Sequence, residues 1–124
     1  MYILTVEEFF SSAHQLTGYK GKCENIHGHN WKVVLSVKGE KLDATGLLVD
    51  FHDLKKLLNA ILQALDHKNL NEIKPFDEMN PSSENIARYV AEKAGGELDR
   101  FGREISIESV TVWESETSRC TYTP

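Results

Sequence analysis

Alternating apolar and polar residues predict the strands of this chain. Residues 30–39 and 105–115 repeat apolar side chains at every second position, which is the period of a strand with one buried face. Residues 2–10 are rich in β-branched and aromatic side chains, and residues 47–51 and 119–123 are shorter candidate strands. The side chains predicted to share a face are Trp31, Val33, Leu35 and Val37 in one strand, and Ile105, Ile107, Ser109, Thr111 and Trp113 in the other.

Two other segments show the three- and four-residue spacing of amphipathic helices. The first helix is predicted from Phe51 to about Asp66. The second begins near Ser82, with Asn80 or Ser82 as its N-cap, and ends at the glycines of residues 95–96. The predicted buried positions are Leu54, Leu57, Leu58, Ile61, Leu62 and Leu65 in the first helix, and Ile86, Tyr89, Val90 and Ala94 in the second.

The order of these elements, β-β-(β)-α-α-β-β, predicts an α+β fold with two helices packed on one face of an antiparallel sheet. A length of 124 residues fits a single domain, residues 1–124, with one core. A small open sheet has edge strands that must be blunted or paired with another chain. We therefore expect a homo-oligomer.

Charge and composition argue against several classes of partner. The formal net charge is −5 and no run of Lys or Arg is present, which argues against nucleic acid and anionic membranes as partners. No apolar run approaches the roughly 18 residues of a spanning helix, and the first residues do not resemble a signal peptide. We expect a cytoplasmic protein in which Cys23 and Cys120 are reduced thiols, although the two could in principle pair.

Two histidines separated by one glycine form a candidate metal site in residues 23–30. Residues i and i+2 of a strand point the same way and lie roughly 6.6 Å apart, so His27 and His29 can converge on one zinc ion. Gly28 leaves the space between them open, and His14, after the first predicted strand, is a candidate third ligand. Three histidines with an open position are typical of catalytic zinc. The same residues also fit a polar surface or core without metal.

Cys23 precedes this pair and has three interpretations. As a fourth ligand it would close the site, as in structural zinc centres. As a free thiol beside a cation it would ionise readily and act as a base or nucleophile. As a small hydrophobic residue it would be buried and inert. The polar, glycine-rich setting of residues 18–28 favours chemistry.

Three more residues are candidates for catalysis or binding. An Asp that holds a His in one tautomer is a common catalytic pair, and Asp66 with His67 forms one if the helix unwinds there, because neighbours do not face each other within a helix. His67 alone would also suit a helix C-terminus. Glu114, at a strand end, can accept two parallel N–H bonds from a guanidine-like ring edge or be simply solvated. His52 is predicted to be exposed.

Several motifs, in the same order along nearly the whole chain, resemble the superfamily of 6-pyruvoyltetrahydropterin and 6-carboxytetrahydropterin synthases. They are SSAHQL at residues 11–16, CENIHGHNW at 23–31, GLLVDFHDLK at 46–55, LDHKNLN at 65–71, NPSSENIA at 80–87 and VWES at 112–115. The resemblance implies the tunnelling fold, in which the sheets of several subunits join into a barrel. It also implies a trimer, or a hexamer of two stacked trimers, with active sites between subunits.

The resemblance also implies roles for particular residues. It makes zinc the cofactor and 7,8-dihydroneopterin triphosphate the substrate. The implied zinc ligands are His14, His27 and His29; the catalytic residues are Cys23, Asp66 and His67; and the residues that bind substrate are Glu114, which anchors the pterin ring, with Ser82, Ser83 and Glu84 near the pterin pocket. From their position before Cys23 we add Lys20 and Lys22 as candidate triphosphate contacts, with two solvated lysines as the alternative.

The spacing C-x3-H-G-H is similar to that of the 6-carboxytetrahydropterin synthases of queuosine biosynthesis. Their products are 6-carboxy-5,6,7,8-tetrahydropterin, acetaldehyde and triphosphate. Animal-type 6-pyruvoyltetrahydropterin synthases have a longer spacing, and a third group, with an aldolase activity, has glutamate in place of the cysteine. Glu24, next to Cys23, keeps that third activity as an alternative. A structural zinc-binding module without catalysis is the non-enzymatic alternative.

Overall fold

A computed structural model describes residues 1–21, 24–102 and 104–124. The described residues form one four-stranded antiparallel sheet in the order β1-β2-β3-β4 and two α-helices. The strands are β1 (Tyr2–His14), β2 (His27–Gly39), β3 (Ile105–Ser115) and β4 (Ser118–Tyr122), and the helices are α1 (Phe51–Gln63) and α2 (Ser83–Gly95). Short 3-10 helices cover Leu70–Glu72 and Leu98–Phe101.

Both helices pack on one side of the sheet, which confirms the predicted α+β architecture. Helix α1 lies on β1, and α2 lies on β3 and β4. The apolar face predicted for β2 is the centre of the core, because Trp31, Val33, Leu35 and Val37 are fully buried against the helices. In α2 the buried positions are Ile86, Ala87, Val90, Ala91 and Ala94, with Tyr89 partly buried.

The face predicted for β3 is correct for only half of the strand. Val37 pairs with Ile107 while Ser36 pairs with Ser109, so Glu108 is an extra residue at a β-bulge. A one-residue shift moves every following side chain to the opposite face. After the bulge, Val110 and Val112 are fully buried, whereas the prediction had placed Ser109, Thr111 and Trp113 with Ile107.

The prediction of a strand at residues 47–51 is wrong. Residues 47–50 form a bend in which Leu48 and Val49 are buried, and the chain turns directly into α1. The Leu48 side chain packs on Gly39, where a Cβ atom would lie 2.7 Å from Leu48 Cδ1. Asp50 then caps α1 by accepting a hydrogen bond from the His52 amide. These apolar residues therefore fill the core from a connection and not from a sheet edge.

The helix ends follow their capping residues. Ser82, one of the two predicted caps, accepts a hydrogen bond from the Asn85 amide at the start of α2. Helix α1 ends at Gln63, three residues earlier than predicted, and leaves Asp66 outside the helix. Among the described residues, no helix has both the length and the apolar character needed to cross a lipid bilayer.

Candidate metal centre

The strand register brings three histidines to one place at the end of the sheet. His14 pairs with His27 across β1 and β2, and Ser12 pairs with His29. The three side chains lie on the face that the helices cover, next to the buried Trp31 ring. The alternation that buries the β2 core therefore also directs His27 and His29 inward.

Glu114 of β3 joins the histidines on this face. Its neighbour Trp113 pairs with Lys32 on β2, and with Arg119 on β4. On the β4 side Ser115 pairs with Ser118, so Glu114 is itself an unpaired residue at a second bulge. Bulges redirect side chains next to functional sites, and here the carboxylate points at the histidines.

The nitrogen and oxygen atoms of this group are close enough to share one ion. One ligand atom from each of the four side chains lies within 4.8 Å of every other. The His14 and His27 Nε2 atoms are 3.1 Å apart, and Glu114 Oε1 is 3.0 Å from His29 Nε2 and 3.5 Å from His14 Nε2. Ligand atoms around a tetrahedral zinc ion, at about 2.0–2.2 Å from it, are separated by roughly 3.3–3.6 Å. The group could hold a metal ion without rearrangement of the backbone.

Hydrogen bonds to carbonyls decide which ring nitrogen faces the centre. The Nδ1 atom of His14 lies 2.8 Å from the Pro81 carbonyl oxygen, and that of His27 lies 2.8 Å from the Asn25 carbonyl oxygen. A carbonyl accepts only, so each Nδ1 carries the proton and each Nε2 presents a lone pair. Two lone pairs 3.1 Å apart repel each other unless a cation lies between them. Carbonyl partners of this kind orient metal-bound histidines.

His29 completes the group through a buried nitrogen. Its Nε2 atom is buried and makes no hydrogen bond to any described residue, although a Glu114 oxygen lies 3.0 Å away. Burial is the largest cause that lowers the pKa of His29, and it outweighs the opposing effect of Glu114. A neutral His29 at pH 7 has a lone pair available for a metal.

Asp66 and His67 form the second predicted group, at the outer edge of β1. Because α1 ends early, His67 adopts a left-handed backbone with φ of 54°, and its Nδ1 lies 2.9 Å from Asp66 Oδ2. The Ser11 amide donates to Asp66 Oδ1 at 2.8 Å, and the His67 amide donates to the Ser11 carbonyl. The Ser11 amide, followed by the His67 side chain, lowers the pKa of Asp66. The predicted pairing is present, with His67 largely exposed.

A cleft opens beside the metal group on the side of Glu114. Its volume is about 660 Å³, within the range of small-molecule sites. His29 and Glu114 form one wall, and Phe9 and Trp113 supply aromatic surface.

The remaining predicted residues are dispersed. Ser82 uses its hydroxyl as a helix cap, and Ser83 lies in the first turn of α2. Glu84 is exposed at the same end of α2 and acts on the pKa of Cys120 in β4, which burial raises. Lys20 is exposed with φ of 49°. Cys23 and Lys22 lie outside the described residues.

Some residues of the site had no signal in the sequence. The carbonyl groups of Asn25 and Pro81 orient two histidines, and any residue can supply a carbonyl. The buried Ser12 hydroxyl accepts from the Lys68 amide and donates to the Leu65 carbonyl, which attaches the Asp66–His67 segment to β1. The motif SSAHQL predicted that residues 11–16 belong to the site, but it did not predict the hydrogen bonds of the Ser12 hydroxyl.

Comparison with known proteins connects this chain to one family. The family model described as 6-pyruvoyl tetrahydropterin synthase matches residues 3–124. A protein of Archaeoglobus fulgidus, provisionally named 6-carboxy-5,6,7,8-tetrahydropterin synthase, is 40% identical over 92% of this chain and 89% of its own length. The 6-carboxy-5,6,7,8-tetrahydropterin synthase of Haemophilus influenzae is 30% identical over 98% of this chain and 99% of its own.

A solved structure shows the same fold over the whole chain. The 6-pyruvoyl tetrahydropterin synthase of Caenorhabditis elegans superposes with a TM-score of 0.81 at 31% identity. The superposition covers 100% of this chain and 97% of the other. The sheet with helices on one face is therefore that of a known pterin-enzyme fold.

Proposed function

We infer the function of this chain from its family, because the chain belongs to the 6-pyruvoyl tetrahydropterin synthase family. The proposed reaction converts 7,8-dihydroneopterin triphosphate and one water to 6-carboxy-5,6,7,8-tetrahydropterin, acetaldehyde and triphosphate. The enzyme would thus be a carbon–carbon lyase of queuosine biosynthesis, acting in the cytoplasm with zinc as its metal. The names of the relatives from Archaeoglobus fulgidus and Haemophilus influenzae support the 6-carboxy product.

The observation that carries this proposal is the convergence of imidazole lone pairs beside an open cleft that His29 and Glu114 line. His14 and His27 each direct an Nε2 lone pair at the centre, and His29 adds a buried, unpaired Nε2. When bound, zinc supplies positive charge that acidifies the side-chain hydroxyls of the substrate and stabilises enediolate-like charge. The cleft of about 660 Å³ has room for a pterin ring.

The chain's own residues supply the proton transfers. Cys23, as a thiolate, would remove a proton from the substrate side chain. His67 would carry the other transfers through Nε2, because Asp66 holds its Nδ1 at 2.9 Å and so sets the tautomer. Glu114 would bind the guanidine-like edge of the ring. Lys20 and Lys22 remain candidates for the triphosphate, as do Ser82, Ser83 and Glu84 for the pterin pocket.

The test is to incubate the purified protein with zinc and 7,8-dihydroneopterin triphosphate. We expect a carboxylated tetrahydropterin by mass spectrometry and one acetaldehyde per turnover. In Cys23→Ala we expect zinc content to stay the same while turnover is lost, because a base is removed and the ligands remain. Loss of both zinc and folding in that variant would instead indicate a closed structural site.

A second candidate is the pyruvoyl-forming reaction on the same substrate. The full-length similarity to the Caenorhabditis elegans 6-pyruvoyl tetrahydropterin synthase favours it. A 6-pyruvoyl product without acetaldehyde would establish this alternative, and a 6-hydroxymethyl product would establish the aldolase reaction. Glu24 is the residue to change in that last case, although its carboxylate already accepts a hydrogen bond from the Leu16 amide.

We also propose that the enzyme is a homo-oligomer, a trimer or a hexamer of two trimers, with active sites between subunits. Both edge strands of the described sheet, β1 and β4, have backbone groups that another subunit can pair. Light scattering after size-exclusion chromatography tests this expectation. A monomer with full turnover would contradict it.

A further inference from the structure

Glu114 lies between the metal group and the cleft, and its carboxylate could bind a ligand in either one. From its contacts we propose that Glu114 is the fourth ligand of the metal centre while the cleft is free of pterin, and that a bound pterin ring draws it away from the metal into the cleft. The second half rests on the proposed function, because that function brings a pterin into the cleft. The first half rests on the described side chains alone.

The position of Glu114 toward the histidines is that of a ligand. Its Oε1 atom lies 3.5 Å from His14 Nε2, and that nitrogen carries a lone pair because Nδ1 donates to the Pro81 carbonyl. It also lies 3.0 Å from His29 Nε2 without forming a hydrogen bond. An anionic oxygen held this close to an imidazole lone pair is repelled unless a cation lies between them. Both distances are close to those between ligands of a tetrahedral zinc ion, roughly 3.3–3.6 Å.

The position of Glu114 toward the cleft is that of a ring anchor. Its side chain is 37% exposed, so part of the carboxylate already borders the open space. Phe9, which is 63% exposed, provides apolar surface in the same cleft for a flat heteroaromatic ring, whereas the Trp113 ring is already in contact with the Lys32 and Arg119 cations. Glu114 is the unpaired residue of a bulge, and bulges redirect side chains next to functional sites.

The two positions exclude each other. A ring edge of the guanidine type takes both carboxylate oxygens in two parallel hydrogen bonds, so neither is left for the metal. Three histidines with a carboxylate form a closed tetrahedral set, whereas catalytic zinc keeps one position open. Ring binding would therefore open the metal at the moment when the substrate side chain arrives. Linkage then requires the ring to weaken metal binding, and the metal to weaken ring binding, by the same factor.

The experiment measures zinc affinity by competition with a chromophoric chelator at constant pH. It is done with and without saturating pterin that lacks a side chain at C6, because such a ring has no side-chain hydroxyls to ligate the metal. In the wild type we expect the zinc Kd to rise by about 5- to 150-fold with pterin. In Glu114→Gln we expect weaker zinc binding without any pterin, by about tenfold or more, since even partners outside the ligand shell contribute 10- to 100-fold.

Glu116→Gln is the matched control. Glu116 lines the same cleft and loses the same charge on substitution, but it is not among the four residues whose ligand atoms converge. We expect wild-type zinc affinity and a wild-type response to pterin in this variant. The visible spectrum of the Co²⁺-loaded proteins gives a second readout, since pterin should change the coordination of wild type and Glu116→Gln alike.

The outcomes separate this proposal from the proposed function. Equal zinc affinities in the wild type, Glu114→Gln and Glu116→Gln would overturn the ligand role, whether or not turnover is found. Normal turnover with a zinc Kd unaffected by pterin would overturn the release and leave the proposed function intact. If no pterin binds and no turnover occurs, the proposed function and the release both fail, and the zinc affinities alone still decide the ligand role.

Discussion

The metal group and the Asp66–His67 pair both adjoin the end of β1, yet different forces hold them. The histidines of the metal group project from regular strands into the core, beside a Trp31 side chain that is fully buried. Asp66 and His67 belong to a connection that is joined to the β1 edge by a few hydrogen bonds, and His67 is 81% exposed by its side chain. A left-handed backbone at a non-glycine residue persists only when its surroundings hold it.

The two groups therefore differ in how easily their side chains can move. Moving a metal ligand requires a change in the packing of the sheet, which involves many side chains at once. Moving His67 requires only that the hydrogen bonds around it open, which is the kind of local opening that occurs at low free energy. We therefore expect substitutions to affect metal binding and proton transfer separately.

The largest effect should come from His29→Ala. This change removes a ligand whose Nε2 is buried in the metal group, so we expect zinc affinity to fall by about 100-fold or more and turnover to be lost. His52→Ala is the control, because His52 is an exposed histidine at the start of α1. Zinc content after dialysis checks both variants, and undiminished zinc in His29→Ala would contradict the metal group.

A smaller effect, on turnover alone, should come from His67→Asn. Asparagine tolerates the left-handed backbone at this position, so the fold should be kept. Loss of a proton-transfer group should lower kcat by about 10²- to 10⁴-fold while zinc affinity stays constant. A parallel fall in zinc affinity would show that the two regions are one unit.

Ser12→Ala sharpens the comparison, because Ser12 joins the two regions. Its buried hydroxyl accepts from the Lys68 amide, so its loss should cost about 1–3 kcal/mol in the free energy of unfolding. We expect faster amide exchange at Lys68, a fall in kcat of less than that in His67→Asn, and unchanged zinc affinity. Ser11→Ala is the matched control, since the Ser11 hydroxyl donates a hydrogen bond to Asn30 Oδ1 in a solvent-exposed position. Equal amide exchange in the two variants would contradict this role.

The smallest effect concerns acid stability in metal-free protein. The Ser11 amide, and then His67, lower the pKa of Asp66 in the folded state. This group therefore contributes stability above its unfolded pKa of about 3.9, and the contribution is lost as pH falls through the lower folded value. The difference in urea midpoint between wild type and Asp66→Asn should be constant above about pH 5 and shrink in more acidic buffer. A difference that does not change with pH would argue against the Ser11–Asp66 contact.

Local periodicity determined much of this protein. The period of two in residues 30–39 predicted the buried face of β2, and the helical spacing after Phe51 predicted α1. The same arithmetic placed His27 and His29 on one face, whereas His14, Asp66, His67 and Glu114 entered the candidate site together through the resemblance to a known family. The periodic features depend on residues a few positions apart, which is why the amino-acid sequence alone is sufficient for them.

Only the tertiary structure decided the rest, because the deciding partners are distant in the chain. The bulge at Glu108 is defined by pairing with β2, and it reverses the face of the second half of β3. Leu48 became a core residue of a connection because Gly39 leaves space for it. The tautomer of His14 depends on the Pro81 carbonyl, 67 residues away, and the approach of Glu114 to the histidines depends on strand register. Register and carbonyl contacts have no residue signature, so they exist only once the chain is folded.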